Sequence, residues 1–292
     1  MTSLIRMNPE KIHTGGQLSR KAKVVTQPTA TKRAIAKPTV TPSTAKRCLL
    51  SFNDVTVYRQ RTTPVLNHVS FNVYAGDKTA LIGYSGQGKT TILECIAKTI
   101  VPYSGNVIFD ETIEGRTSCE HWQKIPLIDQ GLTSLLSYYT VLQNVAFPHI
   151  LAGEHKDDAE LMAEECLNQV SLRSDKWDRY PKQISGGERQ RVIIARSIAC
   201  HGKLLIADEP FSALDANNAF GILDILQNLK VAVLLVTHQI DFALAFCNKL
   251  LLLDAGHIND ITHIKPRIQG MSVRDRSNYK KLVEIAHSAK PR

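Results

Sequence analysis

Apolar residues fall either in short continuous runs or at helical spacing, and the two patterns alternate through much of the chain. Residues 49–58 and 65–74 read as strands, the second ended by Ala75-Gly76-Asp77. Residues 78–83 form a short buried strand, and 90–100 follow a helical period. Between about 130 and 180 the spacing is helical: Val141, Val145 and Ile150, then Leu161, Met162, Cys166 and Val170. From 185 onward strands and helices alternate. The runs 203–208 and 231–237 are continuously apolar, as expected of parallel strands covered on both faces. Helical patterns at 186–200, 216–229 and 239–247 flank them, and the run 249–254 is strand-sized. Residues 259–292 are polar, with one helix expected near 277–287, and are too short for a separate domain.

A chain of 292 residues with 43% hydrophobic content carries ample material for a core. Charged residues at 22% and aromatics at 6% are ordinary for a globular protein, which argues against a fibrous or wholly disordered chain. No apolar run approaches the 18 residues of a membrane span. The charge is uneven. Ten of the 36 Lys and Arg residues, but one of the 27 acids, lie in residues 1–47, so the whole net charge of +9 sits there. The remainder is neutral and gives no sign of specific nucleic-acid binding.

Residues 1–47, rich in Thr, Lys, Pro and Ala, show no sustained apolar period and no secretory-signal core. A disordered basic arm, a transit peptide and an over-extended start all fit this segment. Six cysteines (48, 95, 119, 166, 200 and 247) are widely scattered with no C-x-x-C pair, which favours reduced thiols over a disulfide framework.

Three motifs carry chemistry. Gly83-Tyr84-Ser85-Gly86-Gln87-Gly88-Lys89-Thr90 fits G-x-x-x-x-G-K-[ST], the phosphate loop. Its glycines let backbone N–H groups face phosphate oxygens, and the following helix turns its positive N-terminus to the same anion. Lys89 supplies a charge for the β- and γ-phosphates, and the Thr90 hydroxyl suits Mg²⁺. A chance match in a chain of this composition is on the order of 1%. Downstream, Asp208 and Glu209 end an apolar strand. Carboxylates there cost energy unless they face a cleft, a metal or a cation. Asp208 reads as a Mg²⁺ ligand and Glu209 as the group that engages the attacking water. Between the phosphate loop and these acids stands Ile184-Ser185-Gly186-Gly187-Glu188. Ser185 and Glu188 have the spacing of a capping box, yet two glycines in a first turn are costly for a helix and suit a backbone that approaches an anion.

With these residues in order, positions 49 to about 260 resemble the nucleotide-binding subunit of an ATP-binding cassette (ABC) transporter. It is most similar to prokaryotic importer and lipoprotein-release cassettes. In that resemblance Tyr58, 25 residues before Gly83, corresponds to the aromatic that stacks on adenine, and Thr91 continues the phosphate loop. Gln130 corresponds to the Q-loop glutamine that reaches Mg²⁺ and the water, and Ser185–Glu188 to the signature. Ser212-Ala213-Leu214-Asp215 corresponds to the D-loop and His238 to the switch histidine. Two departures are mild: Ile184 and Glu188 stand where the signature has Leu and Gln, and Gln239 stands where an acid is common.

The resemblance implies an α/β P-loop NTPase of the ABC type, with a mixed sheet core, an antiparallel β subdomain and an α-helical signature subdomain at about 131–190. The cassette would span 48–262, between a disordered basic extension at 1–47 and a tail at 263–292. ATP and Mg²⁺ are the implied cofactors. The implied metal ligands are Thr90, Gln130 and Asp208, and the implied catalytic groups are Glu209, His238, Lys89 and Gln130. Ser185, Gly186, Gly187 and Glu188 would act in trans on ATP held by a second cassette, a homodimer or a paralogue. The segment 131–144 resembles the region that grips a transmembrane permease, which would place the chain at the cytoplasmic side of the membrane. A second reading stays open. Pro64-Val65-Leu66-Asn67 and Leu214-Asp215-Ala216-Asn217 faintly resemble the non-transport ATPase of a phosphonate-lyase assembly. The 1–47 segment is a further candidate for contact with anionic lipid.

Overall fold

A computed structural model describes residues 46–59, 62–114, 121, 124–129, 135–212 and 214–262. Strands β1 (Cys48–Tyr58) and β2 (Pro64–Tyr74) form an antiparallel pair. Strand β4 (Ser104–Phe109) adds to the other edge of β1, giving the order β2-β1-β4. The stacked rings of Phe52 and Phe71, 4.5 Å apart, fix the pairing at its centre.

The second sheet has six strands in the order β5-β6-β7-β3-β8-β9. These are β3 (Lys78–Ile82), β5 (Leu127–Ile128), β6 (Leu204–Asp208), β7 (Ala232–Thr237), β8 (Lys249–Asp254) and β9 (His257–Thr262). All pairings are parallel except β8–β9. Alternate residues of the central strands enter two different cores. Leu204, Ile206, Leu234, Val236, Leu251 and Leu253 pack with the antiparallel sheet and α1 (Lys89–Ile96). Leu205, Ala207, Val233, Leu235 and Leu250 pack with the helices on the opposite face. Burial on both faces is why these strands read as unbroken apolar runs.

Those helices are α2 (Val141–Leu151), α3 (Lys156–Gln169), α4 (Gly186–Ala199), α5 (Ala216–Asn228) and α6 (Ile240–Phe246). The helical spacing expected between 130 and 180 resolves into two helices, broken where Gly153 adopts φ +90°. Thr140 caps α2 in a capping box with Gln143. The buried Asn144 side chain accepts from Leu136 N (2.8 Å) and donates to the carbonyls of Leu136, Tyr139 and Thr140, pinning the preceding loop.

The structure corrects two expectations and adds two strands. The first helix ends at Ile96 rather than Ile100. Lys98 turns to φ +56°, and the N–H groups of Thr99 and Ile100 fold back to Glu94 O. Strands β4 and β5 carry too little apolar pattern to stand out in sequence. The polar region from 259 begins inside a strand, because Ala255 (φ +48°) and Gly256 (φ +80°) form a tight left-handed turn that lays β9 along β8. The helix expected near 277–287 and the segment 1–45 lie outside the described residues. Among the described residues, no helix is long and apolar enough to cross a membrane.

Candidate nucleotide site

Parallel register gathers the motifs. Ile82 pairs with Thr237, and Asp208 with Val236, so the carboxyl ends of β3, β6 and β7 lie side by side. The phosphate loop leaves β3, Asp208 and Glu209 end β6, and His238 follows β7. A cleft of about 740 Å³ opens there. Ligands of doubly wound sheets bind at such strand ends.

The loop between β3 and α1 depends on two glycines in left-handed backbone, Gly86 at φ +82° and Gly88 at φ +107°. A Cβ on Gly88 would also come within 3.0 Å of the Leu66 and Val65 side chains. Helix α1 begins at Lys89 with no side-chain cap and no acid in its first turn, so its free N–H groups and positive dipole end face the cleft. Lys89 Nζ donates to Gly83 O (2.7 Å) and Tyr84 O (3.1 Å).

The two acids at the end of β6 meet different surroundings. Burial raises Asp208, with the Glu209 charge adding to it and Lys89 opposing, so that its carboxyl titrates at about 6. Glu209 is 8% exposed and sits at φ +46°, a left-handed conformation that strains a side-chain-bearing residue. Its backbone N–H donates to Val236 O (2.8 Å). Its Oε1 accepts from His238 N (2.9 Å) and lies 2.7 Å from His238 Nδ1, while Oε2 accepts from Thr237 Oγ1 (3.0 Å).

Of the residues singled out in sequence, Tyr84, Ser85, Gly86, Gly88, Lys89, Thr90, Thr91, Asp208, Glu209 and His238 line the cleft together. Gly83 is outside the lining, its carbonyl engaged by Lys89. Gln87 turns away to donate to Asp254 Oδ1 (3.3 Å). Tyr58 is outside the lining, with its ring edge-on to Tyr103 at 5.1 Å. Gln130 lies outside the described residues.

Ser185–Glu188 are also outside this cleft. Ser185 Oγ accepts from Glu188 N (3.2 Å) and Glu188 Oε2 accepts from Ser185 N (2.7 Å), which is the capping box the spacing suggested. The Ser185 hydrogen bonds hold the Glu188 carboxyl below the usual range. Sequence reasoning missed Arg59 and Val65 in the cleft wall. Arg59 pairs with Glu94 and reaches Thr91 Oγ1 at 3.4 Å. Its position directly after Tyr58 was the one available signal.

A glycine loop, an uncapped helix N-terminus, a lysine and two strand-end acids at the carboxyl edge of a parallel sheet define a P-loop nucleotide-binding fold. A family model described as "ABC transporter" matches residues 66–212. The chain belongs to the ABC transporter family. The methionine import ATP-binding protein MetN of Caulobacter vibrioides is 37% identical over 221 residues, covering 72% of this chain and 65% of its own length. MetN 1 of Paraburkholderia xenovorans is 38% identical over 201 residues, covering 66% and 58%. The chain thus spans about three fifths of the length of these curated relatives. Among solved structures, the dimeric bacterial ABC transporter cassette MJ0796 is similar at TM-score 0.64 and 28% identity, covering 74% of this chain and 99% of that one. A post-hydrolysis dimer of the same cassette bound to ADP and Pi is similar at TM-score 0.63 and 27% identity, covering 76% and 100%.

Proposed function

We propose that this chain is the ATP-binding and ATP-hydrolysing subunit of a transporter and drives transport through a separate transmembrane partner. The observation that carries this reading is the convergence of Lys89, Asp208, Glu209 and His238 on one cleft at the carboxyl ends of three neighbouring strands. The loop amides, the α1 N-terminus and Lys89 hold the phosphates. Glu209 accepts the proton of the attacking water as its oxygen bonds to the γ-phosphorus and the bond to the β-phosphate oxygen breaks. His238 and Lys89 offset charge on the γ-phosphoryl oxygens. The hard oxygen donors Thr90 and Asp208 suit Mg²⁺, which keeps water and phosphate ligands in such sites. Thr90 and Asp208 would hold the ion, which would supply charge neutralisation for the phosphates. Gln130 completes this set by its motif.

Ser185 is exposed and lies outside its own cleft, which supports a role in trans, on the nucleotide of a second cassette. The relatives' names as import subunits support a permease partner and a peripheral position on the cytoplasmic face of the membrane. Tyr138, 94% exposed, lies in the segment 131–144 that resembles the permease-gripping region, which supports such a contact. The positive charge of residues 1–47 supports an added contact with anionic lipid.

The test is a pull-down from native membranes with tagged Glu209→Gln, with and without ATP. Recovery of an integral membrane protein is expected. Recovery of soluble enzyme subunits alone overturns the transporter reading in favour of an accessory ATPase.

A further inference from the structure

We infer that Thr237 is a positioning residue for Glu209 that aims one particular carboxylate oxygen at the reacting water; the inference rests on the hydrolytic reading above. Thr237 is the last residue of β7 and is fully buried. Its hydroxyl oxygen accepts from Gln239 N at 3.0 Å, which leaves its single proton to point at Glu209 Oε2, also at 3.0 Å.

The two Glu209 oxygens are therefore unequal. Oε1 is engaged by both the backbone N–H and the ring of His238. Among the described residues, Thr237 is the one donor to Oε2. Oε2 thus keeps a lone pair for a water proton, and Thr237 sets its direction. The grip starts from a fixed backbone, because Glu209 N–H is bonded to Val236 O and the residue is held at φ +46°. Three consecutive residues, Val236 and Thr237 of β7 and the His238 that follows, thereby hold both the main chain and the side chain of Glu209. Without the Thr237 hydroxyl, Oε2 would be left in a buried position with no protein donor, and the carboxylate would be held through Oε1 alone. A displacement of about 1 Å at a reacting group costs on the order of 100-fold in rate.

The experiment compares the full chain with Thr237→Val, Thr237→Ala, Thr237→Ser and Glu209→Gln. It measures steady-state ATP hydrolysis, affinity for trinitrophenyl-ATP and melting temperature. Thr237→Val is expected to lower kcat about 10- to 100-fold with affinity within about twofold of the parent, and Thr237→Ser to restore most of the rate. If the Val variant does not fold, the Ala and Ser pair isolates the hydroxyl in the same way. Hydroxyl-free variants that keep kcat within about twofold, while Glu209→Gln is inactive, overturn the role of Thr237 alone. So does a deficit that Ser does not restore. An active Glu209→Gln overturns the underlying reading of Glu209.

Discussion

The Lys89 ammonium closes the loop that carries it, donating to the Gly83 carbonyl at 2.7 Å. A second proton goes to Tyr84 O at 3.1 Å, so the third is left for the cleft. One side chain thus shapes the phosphate loop and supplies its charge.

Lys89→Ala should therefore weaken ATP binding by about 1.5–3 kcal/mol, the usual worth of a hydrogen bond to a charged group. Titration with a fluorescent ATP analogue measures it. Unchanged affinity would remove Lys89 from the phosphate site.

Glu209→Gln keeps the shape of the side chain but cannot take a proton. Turnover should fall at least about 100-fold, in the range of general-base loss, while ATP is still bound. Size-exclusion chromatography with ATP and Mg²⁺ should show a dimer of this variant. Hydrolysis at the parent rate would sink the assignment.

Asp208 ties stability to pH. Its carboxyl titrates at about 6 in the folded chain, above the ordinary 3.8. Between these values the folded state holds a proton that the unfolded state has lost. The associated stability is complete below about pH 4 and is lost as pH rises through 6. Asp208→Asn should thus stabilise the protein by about 1–3 kcal/mol at pH 8 in chelator, and change little at pH 4. Urea unfolding at the two pH values reads the difference, and equal gains at both would refute it.

Tyr58→Ala should weaken nucleotide binding by about 1–3 kcal/mol if the ring stacks on the base. The loss should be the same for ATP and ADP, which share the adenine. Full affinity in the variant would show that Tyr58 is not the platform.

Removing residues 1–47 should reduce sedimentation with vesicles rich in phosphatidylserine and leave neutral vesicles unaffected. Each basic residue near the surface contributes about 1 kcal/mol at low salt. Equal binding of the full and shortened chains to anionic vesicles would end the lipid proposal.

Much of the fold could be read from sequence because β6 and β7 are buried on both faces, leaving unbroken apolar runs such as 231–237. The phosphate loop was legible because its glycines answer a backbone requirement that Gly88 meets at φ +107°. What escaped notice depended on pairing rather than on pattern. Strand β5 is two residues long and exists by its register with β6, and β9 is polar and held by the turn at Ala255-Gly256. In the site, the acids and His238 could be picked out by motif, but the Thr237 hydroxyl bond to Glu209 could not. A threonine ending a strand carries no mark of the partner that a neighbouring strand brings to it.

The pairing of Ile82 with Thr237 and of Asp208 with Val236 also bears on how such a chain can change over generations. The spacing of the cleft is written in main-chain hydrogen bonds between strands, and the side chains beneath it serve chiefly as filler of the right volume. Lineages can then exchange most core residues for others of similar size without moving the site. A single inserted residue within β6 or β7 is a different matter, since it would turn every later side chain to the opposite face and carry the acids or the histidine out of reach. Substitution is cheap in these strands and a change of length is not.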